Sequence, residues 1–225
     1  ADSQRAAAKR VVAVVPTIVA TDWRFRQDKQ PLSPDPELGH VENYLWLLSG
    51  ERPSTDRTDP LETFCVTLLE HGLDASSFAA RTIASTESDP ISAATAAVGA
   101  LKGNRHAGRF ADAFDLLTAA READDVASVL REHASEGQAP GFGHPVYRSR
   151  DPRAAVLSVT LEDRVPETLS TIHQLDEAAD AVFDASDRPE LTVEFPATAL
   201  LDSIGIPAAL FAPTFAVARA GGWAA

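Results

Sequence analysis

The chain has 225 residues, 44% of them hydrophobic, enough for one large or two small domains with a sizeable core. Its 33 acidic against 20 basic residues give a net charge of −13, which argues against nucleic acid as a partner. No apolar run is long enough to span a bilayer, no signal peptide is expected, and a single cysteine, Cys65, allows no internal disulfide, so a reducing, cytoplasmic compartment is expected.

In chain order, residues 5–20 read as a first helix with Pro16 as a kink. A polar, proline-bearing connection follows over 21–36. A second helix carries Tyr-Leu-Trp-Leu-Leu at 44–48 and is stopped by Gly50. Asp59-Pro60 reads as an N-cap followed by proline at the first helical position, opening a helix to about Glu70. Asp74 caps the next, to about Thr86. Asp89-Pro90 starts another that Gly103 stops, and Asp151-Pro152 starts one more. Further helices fit 109–120, 123–134, 166–184, 196–204 and 208–222. No alternating apolar run argues for a sheet, so the expected class is all-α.

Three histidines stand at glycine-flanked helix ends: His71, His106 and His144. Helix ends expose backbone donors and partial charge, which suits anion binding and imidazole tuning. No histidine or cysteine pair has a spacing that suggests a metal site, so none is expected. The basic residues are three lysines against 17 arginines; with the acidic excess this hints at a salt-adapted, halophilic surface. Any anionic substrate would need local arginines, because the overall field repels it.

Three long segments carry a family resemblance: EHGLDASSFAARTIASTESDPISAATAAVGALKGNRHAGR from Glu70 to Arg109, GFGHPVYRSRDPRA from Gly141 to Ala154, and LTVEFPATALLDSIGIPAALFAPTFAVARAGGWA from Leu191 to Ala224. Their order and internal spacing resemble the citrate synthase family, with 35 residues from His71 to His106, nine from His144 to Arg153 and 25 from Glu194 to Arg219. The resemblance implies a helical fold of two domains closing over a cleft. Residues 1–107 with 209–225 would form part of the large domain and 108–208 the small one. It implies condensation of acetyl-CoA, or propionyl-CoA in some relatives, with oxaloacetate in the tricarboxylic acid cycle or its methylcitrate counterpart. CoA would be a co-substrate, no cofactor would be tightly bound, and the chain would form a homodimer or pair with another synthase subunit.

The same resemblance assigns roles residue by residue. His106 matches the histidine that bonds the thioester carbonyl. Glu194 falls at the general base, and His144 at the histidine that polarises the ketone. His71, Arg153 and Arg219 match contacts to the dicarboxylate. The turn Gln138, Ala139, Pro140, Gly141, Phe142, Gly143 matches a loop that contacts CoA.

Departures from the family pattern bear on activity. The base is Glu194 in Thr192-Val193-Glu194 where aspartate is usual, with Pro196 two residues on. Ala107 and Gly72 replace a glycine and a glutamate, Asp74 an asparagine and Pro145 an arginine. The chain is shorter than typical members at both ends, and one of three carboxylate-binding arginines falls beyond Ala225. Two readings follow: a condensing enzyme with a longer base, or an impaired paralogue that binds a dicarboxylate or joins a full-length subunit.

Overall fold

The structure, a computed structural model, describes residues 2–225 apart from 73, 136, 145 and 148; Pro145 therefore lies outside the described residues. The chain divides into two compact units, one of residues up to Ala107 with Ala212–Ala225, the other Gly108–Phe211. Among the described residues every regular element is helical, and the only β pairing is two isolated bridges, Ser135 with Gln138 and Phe142 with Leu191. The all-α class is thereby established.

In the first unit, α1 (Asp2–Arg26), α2 (His40–Ser49), α3 (Thr55–Thr67), α4 (Ala75–Ala84) and α5 (Pro90–Leu101) precede the final helix α11 (Phe211–Ala224). Helices α4 and α5 pack as a pair, and α1 lies against α2 and α5. The core gathers Tyr44, Leu45, Leu61, Phe64, Leu68 and Leu101, all buried; each aliphatic or aromatic side chain so placed contributes roughly 1.5–3 kcal/mol. The one polar atom of that set, Tyr44 Oη, is satisfied by Thr214 Oγ1 at 2.8 Å.

Two local expectations are corrected here. Helix α1 runs on to Arg26, beyond the expected end at residue 20; its last turn is held by the Asp22–Arg26 pair at 2.8 Å and by Arg24 Nε donating to the Gln30 carbonyl at 2.6 Å. Helix α3 begins at Thr55, not at Pro60. Ser54 adopts the extended cap conformation and its carbonyl accepts from Arg57 and Thr58. Thr58, Leu61, Phe64 and Leu68 then lie on one buried face, so the apolar stripe carries the helix back through the proline.

The second unit holds α6 (Arg109–Arg121), α7 (Val126–His133), α8 (Pro152–Arg164), α9 (Pro166–Val182) and α10 (Glu194–Ser203), then a 3-10 turn at Ala208–Leu210. Helix α10 packs against α6, α8 and α9. Its buried residues, Phe195, Leu200 and Leu201, meet a core that includes Leu116, Leu157, Leu161 and Leu175. Helix α10 opens at Glu194, two residues before the expected 196. Pro196 is then its third residue, where an amide has no intrahelical partner, so the proline does not disturb it.

Aspartate caps mark three of the starts that the sequence indicated: Asp74, Asp89 and Asp151 each accept backbone amides in the first turn of α4, α5 and α8. Asp125 does the same for α7, which therefore opens at Val126 and not at the expected 123.

Candidate functional site

In the first unit, His71, His106 and Arg219 come together around Asp74. The turn after α5 carries His106; His106 and Ala107 donate their amides to the carbonyls of Gly103 and Leu101 at 2.9 and 3.0 Å. The imidazole Nε2 lies 3.2 Å from both Asp74 Oδ1 and Ser76 Oγ. Its ring meets Phe215 edge-on at 5.6 Å, and the Arg219 guanidinium lies over the same Phe215 ring at 4.8 Å. Arg219 is fully buried; its Nε donates to the Leu68 carbonyl at 2.7 Å and its Nη1 to Asp74 Oδ2. Ser76, in turn, accepts from Trp223 Nε1 at 3.1 Å.

Burial alone would raise the Asp74 carboxyl. The bonds from His106 and Ser76, the Arg219 charge and the Ser77 amide outweigh it and hold the group far below the usual carboxylate range. His71 occupies the turn before α4, where its amide donates to Glu70 Oε1 at 2.9 Å. Donor atoms of Glu70, His71 and Asp74 lie within 4.8 Å of one another, a grouping that metal-type sequence spacing does not reveal. The Arg219 cation on the Asp74 carboxylate opposes a second cation there.

The second unit brings together His144, Arg153, Glu194 and the 138–143 loop. His144 Nδ1 accepts the amides of Val146 and Tyr147 at 3.1 and 3.2 Å. A neutral imidazole with Nδ1 accepting carries its proton on Nε2. Nε2 lies 3.2 Å from Arg153 Nη2, so two donors converge, an arrangement suited to an oxygen acceptor placed between them. Burial and, next, the Arg153 charge lower the His144 pKa, with Arg109 adding to them; Asp151 and Glu194 pull the other way without prevailing. The ring is therefore neutral near pH 7.

Arg153 is set by Asp151, which is only 1% exposed. Asp151 Oδ1 accepts from Arg153 N and Nε, both at 3.0 Å, and Oδ2 accepts from Arg153 Nη2 at 2.8 Å. The same Oδ2 accepts the Val193 amide at 3.2 Å, which ties the arginine to the segment that carries Glu194. Glu194, itself buried, begins α10, where the helix N-terminus favours a carboxylate. Its Oε2 accepts from Thr192 Oγ1.

The loop is laced to that segment. Thr192 N donates to the Gly141 carbonyl at 2.9 Å, and Gly143 N to the Glu190 carbonyl at 2.8 Å. Arg109 holds the Phe142 and Gly143 carbonyls at 2.7 and 3.3 Å. Gly141 has φ of +76°, and a Cβ there would stand 2.3 Å from the Phe195 ring, so both conformation and space demand glycine. Gln138 closes a tight turn with Ser135 through bonds of 2.8 and 2.9 Å, and Phe142 N donates to the Ala139 carbonyl at 3.2 Å.

The full length of the chain, residues 1–225, matches the family model described as citrate synthase, C-terminal domain. The chain belongs to the citrate synthase family. It is 34% identical over 222 residues to a citrate synthase of Haloferax volcanii, covering 97% of this chain and 58% of that one. It is 36% identical over 230 residues to a 2-methylcitrate synthase of Mycobacterium tuberculosis, covering 100% of this chain and 58% of that one. The citrate synthase structure from Thermotoga maritima superposes with a TM-score of 0.86 at 32% identity, covering 100% of this chain and 62% of that one. The chain thus spans under two thirds of the length of these relatives.

Sequence reasoning missed the partners that hold the predicted residues. Asp74 was expected to cap a helix in place of the family's asparagine, yet its charge is matched by Arg219, 145 residues away. Asp151 was expected only to cap, yet it also orients Arg153. Thr192 and Arg109 carried no signal beyond lying inside the matching segments.

Proposed function

We propose that this chain is a citrate synthase-type acyltransferase that condenses a short acyl-CoA, acetyl-CoA or propionyl-CoA, with oxaloacetate. The observation that carries this reading is the convergence of the His144 Nε2–H and the Arg153 guanidinium, with the buried Glu194 held through Asp151 to the same arginine. Donors so arranged suit a 2-oxo acid: one hydrogen bond for the ketone oxygen and a guanidinium for the neighbouring carboxylate.

In this reading Glu194 removes a proton from the acyl carbon next to the thioester. His106 shifts its Nε2 proton from Asp74 to the thioester oxygen as enol character develops, which lowers the cost of that step. The enol carbon attacks the ketone carbon of oxaloacetate and His144 delivers a proton to the ketone oxygen. Water then cleaves the thioester and releases CoA. Arg153, Arg219 and His71 fix the dicarboxylate, which limits the orientations from which attack begins. The turn Gln138–Gly143 contacts the CoA moiety. CoA is a co-substrate, no cofactor is tightly bound, and the chain acts in the cytoplasm as a homodimer or with a longer synthase subunit.

The test is thiol release from acetyl-CoA and from propionyl-CoA with oxaloacetate, for the wild type, Glu194→Ala and Glu194→Asp. Turnover abolished by Glu194→Ala is expected. Turnover unchanged by that substitution would remove Glu194 as the base, and none in the wild type or Glu194→Asp would refute the condensing reading.

A further inference from the structure

Asp74 does more than cap α4. Its Oδ1 accepts the amides of Ser76 and Ser77 at 2.8 and 3.1 Å and the Ser76 hydroxyl at 2.6 Å, while Oδ2 takes Arg219 Nη1. The cap does not need a charge, since asparagine caps a helix as well as aspartate does. The charge has a second use, because Arg219 is fully buried and its Nε is already committed to the Leu68 carbonyl. A guanidinium receives a carboxylate best as a fork, through two parallel bonds. Here an internal carboxylate and a backbone carbonyl already hold two of its nitrogens.

We propose that Asp74 is an internal counter-ion that competes with a substrate carboxylate for Arg219 and so sets how tightly the chain takes a dicarboxylate. The proposal rests on the reading above in one respect, that Arg219 receives a carboxylate of the substrate. An incoming carboxylate must share the guanidinium with Asp74 and meets a like charge beside it. Both effects weaken binding of the more highly charged ligand, a penalty built into the site rather than an added contact. The position of Asp74 also puts His106 in the same network, at 3.2 Å, so the competition acts next to the residue assigned to the thioester.

Calorimetric titration of the whole chain with oxaloacetate tests this, using the wild type, Asp74→Asn, and the double variant Asp74→Asn/Arg219→Gln. Asp74→Asn keeps the cap and removes the competitor, and is expected to tighten oxaloacetate at least about tenfold, in line with the coupling of close charge pairs. The double variant, which removes both buried charges together and so stays foldable, is expected to lose the gain. Asp74→Asn alone leaves Arg219 without its counter-ion. Melting curves with and without oxaloacetate therefore accompany the titration; the ligand-induced rise in Tm is expected to be larger in Asp74→Asn than in the wild type. Equal or weaker binding by Asp74→Asn with no larger rise in Tm, or a gain that survives in the double variant, would overturn the proposal. Thiol release by the wild type separates this result from the fate of the catalytic reading. Turnover without tightening in Asp74→Asn overturns the counter-ion role alone, and tightening without turnover overturns the condensing activity alone.

Discussion

Asp151→Ala tests how Arg153 is held, and its cost follows from the structure. The substitution removes the acceptor of three bonds from Arg153 and one from Val193, in a place where Asp151 is 1% exposed and the Arg153 side chain 8%. Removing one member of a buried ion pair costs about 3–5 kcal/mol, because the other charge stays buried. The lost helix cap adds about 1 kcal/mol. For a chain of this length each kcal/mol lowers Tm by roughly 2–4 °C, so a fall of at least about 8 °C is expected at neutral pH. Asp151→Asn retains the volume and a capping oxygen, so it should lose less by about the capping contribution. The pH dependence carries a sign. Burial raises the Asp151 carboxyl, but the Arg153 bonds and charge, with His144, lower it below its unfolded value. Its stabilisation is then fully present above the unfolded value of about 4 and is lost as pH falls through the lower folded value. The gap between wild type and Asp151→Ala should therefore be widest near neutrality and close in acid. Thermal melts followed by far-UV circular dichroism across this range measure it. A loss below about 1 kcal/mol at neutral pH, or a gap independent of pH, would refute the account of Asp151 as the counter-ion of Arg153.

Three further outcomes are expected. Gly141→Ala combines a positive φ, costing about 1–2 kcal/mol, with overpacking against Phe195 of about 1–3 kcal/mol. Gly50→Ala, at a similar φ of +82° but with its nearest neighbour at 3.5 Å, should show only the conformational cost, so urea midpoints of the two variants should differ clearly. Cys65, whose thiol is pushed up to about 12 by burial and next by Glu62, should react with a disulfide reagent at neutral pH roughly 30–60-fold more slowly than a thiol at the ordinary 9.0; full-speed labelling in the native chain contradicts this. Thr192→Val keeps the amide bond to Gly141 and deletes the hydroxyl that bonds Glu194, so the carboxylate loses its side-chain anchor. If the chain turns over, kcat should fall by up to about tenfold with Tm little changed; an unchanged kcat removes Thr192 from the positioning of Glu194.

Much of the helical layout was legible because caps are local. Asp89-Pro90 and Asp151-Pro152 each place an acceptor and a fixed φ within three residues of the amides they serve, and both start helices as expected. Asp59-Pro60 has the same two residues and starts nothing, since Thr58 is buried on the stripe of Leu61 and Phe64 and the helix must extend back to place it. Burial of a side chain decided there against a local start signal, and tertiary packing is not written in a dipeptide.

The candidate site divides along the same line. Its histidines and arginines stand inside segments that match a family, so their places could be named from the sequence; what holds them could not. Both predicted carboxylate-binding arginines are buried, and each is held by an aspartate that the sequence marks only as a helix cap: Arg153 by Asp151, two residues away, and Arg219 by Asp74, 145 residues away. A cap needs an oxygen, not a charge, so the capping signal is silent about the second role. A buried guanidinium supplies the missing argument, because it demands a counter-ion within reach. The two pairs then differ in consequence. Asp151 engages Nε and Nη2 of Arg153 and still leaves Nη2 within 3.2 Å of His144 Nε2, which aims the arginine toward the group it would assist. Asp74 and the Leu68 carbonyl hold Arg219 within its own unit. One capping aspartate turns its arginine toward a histidine, and the other, in the proposal above, competes with a ligand carboxylate for it.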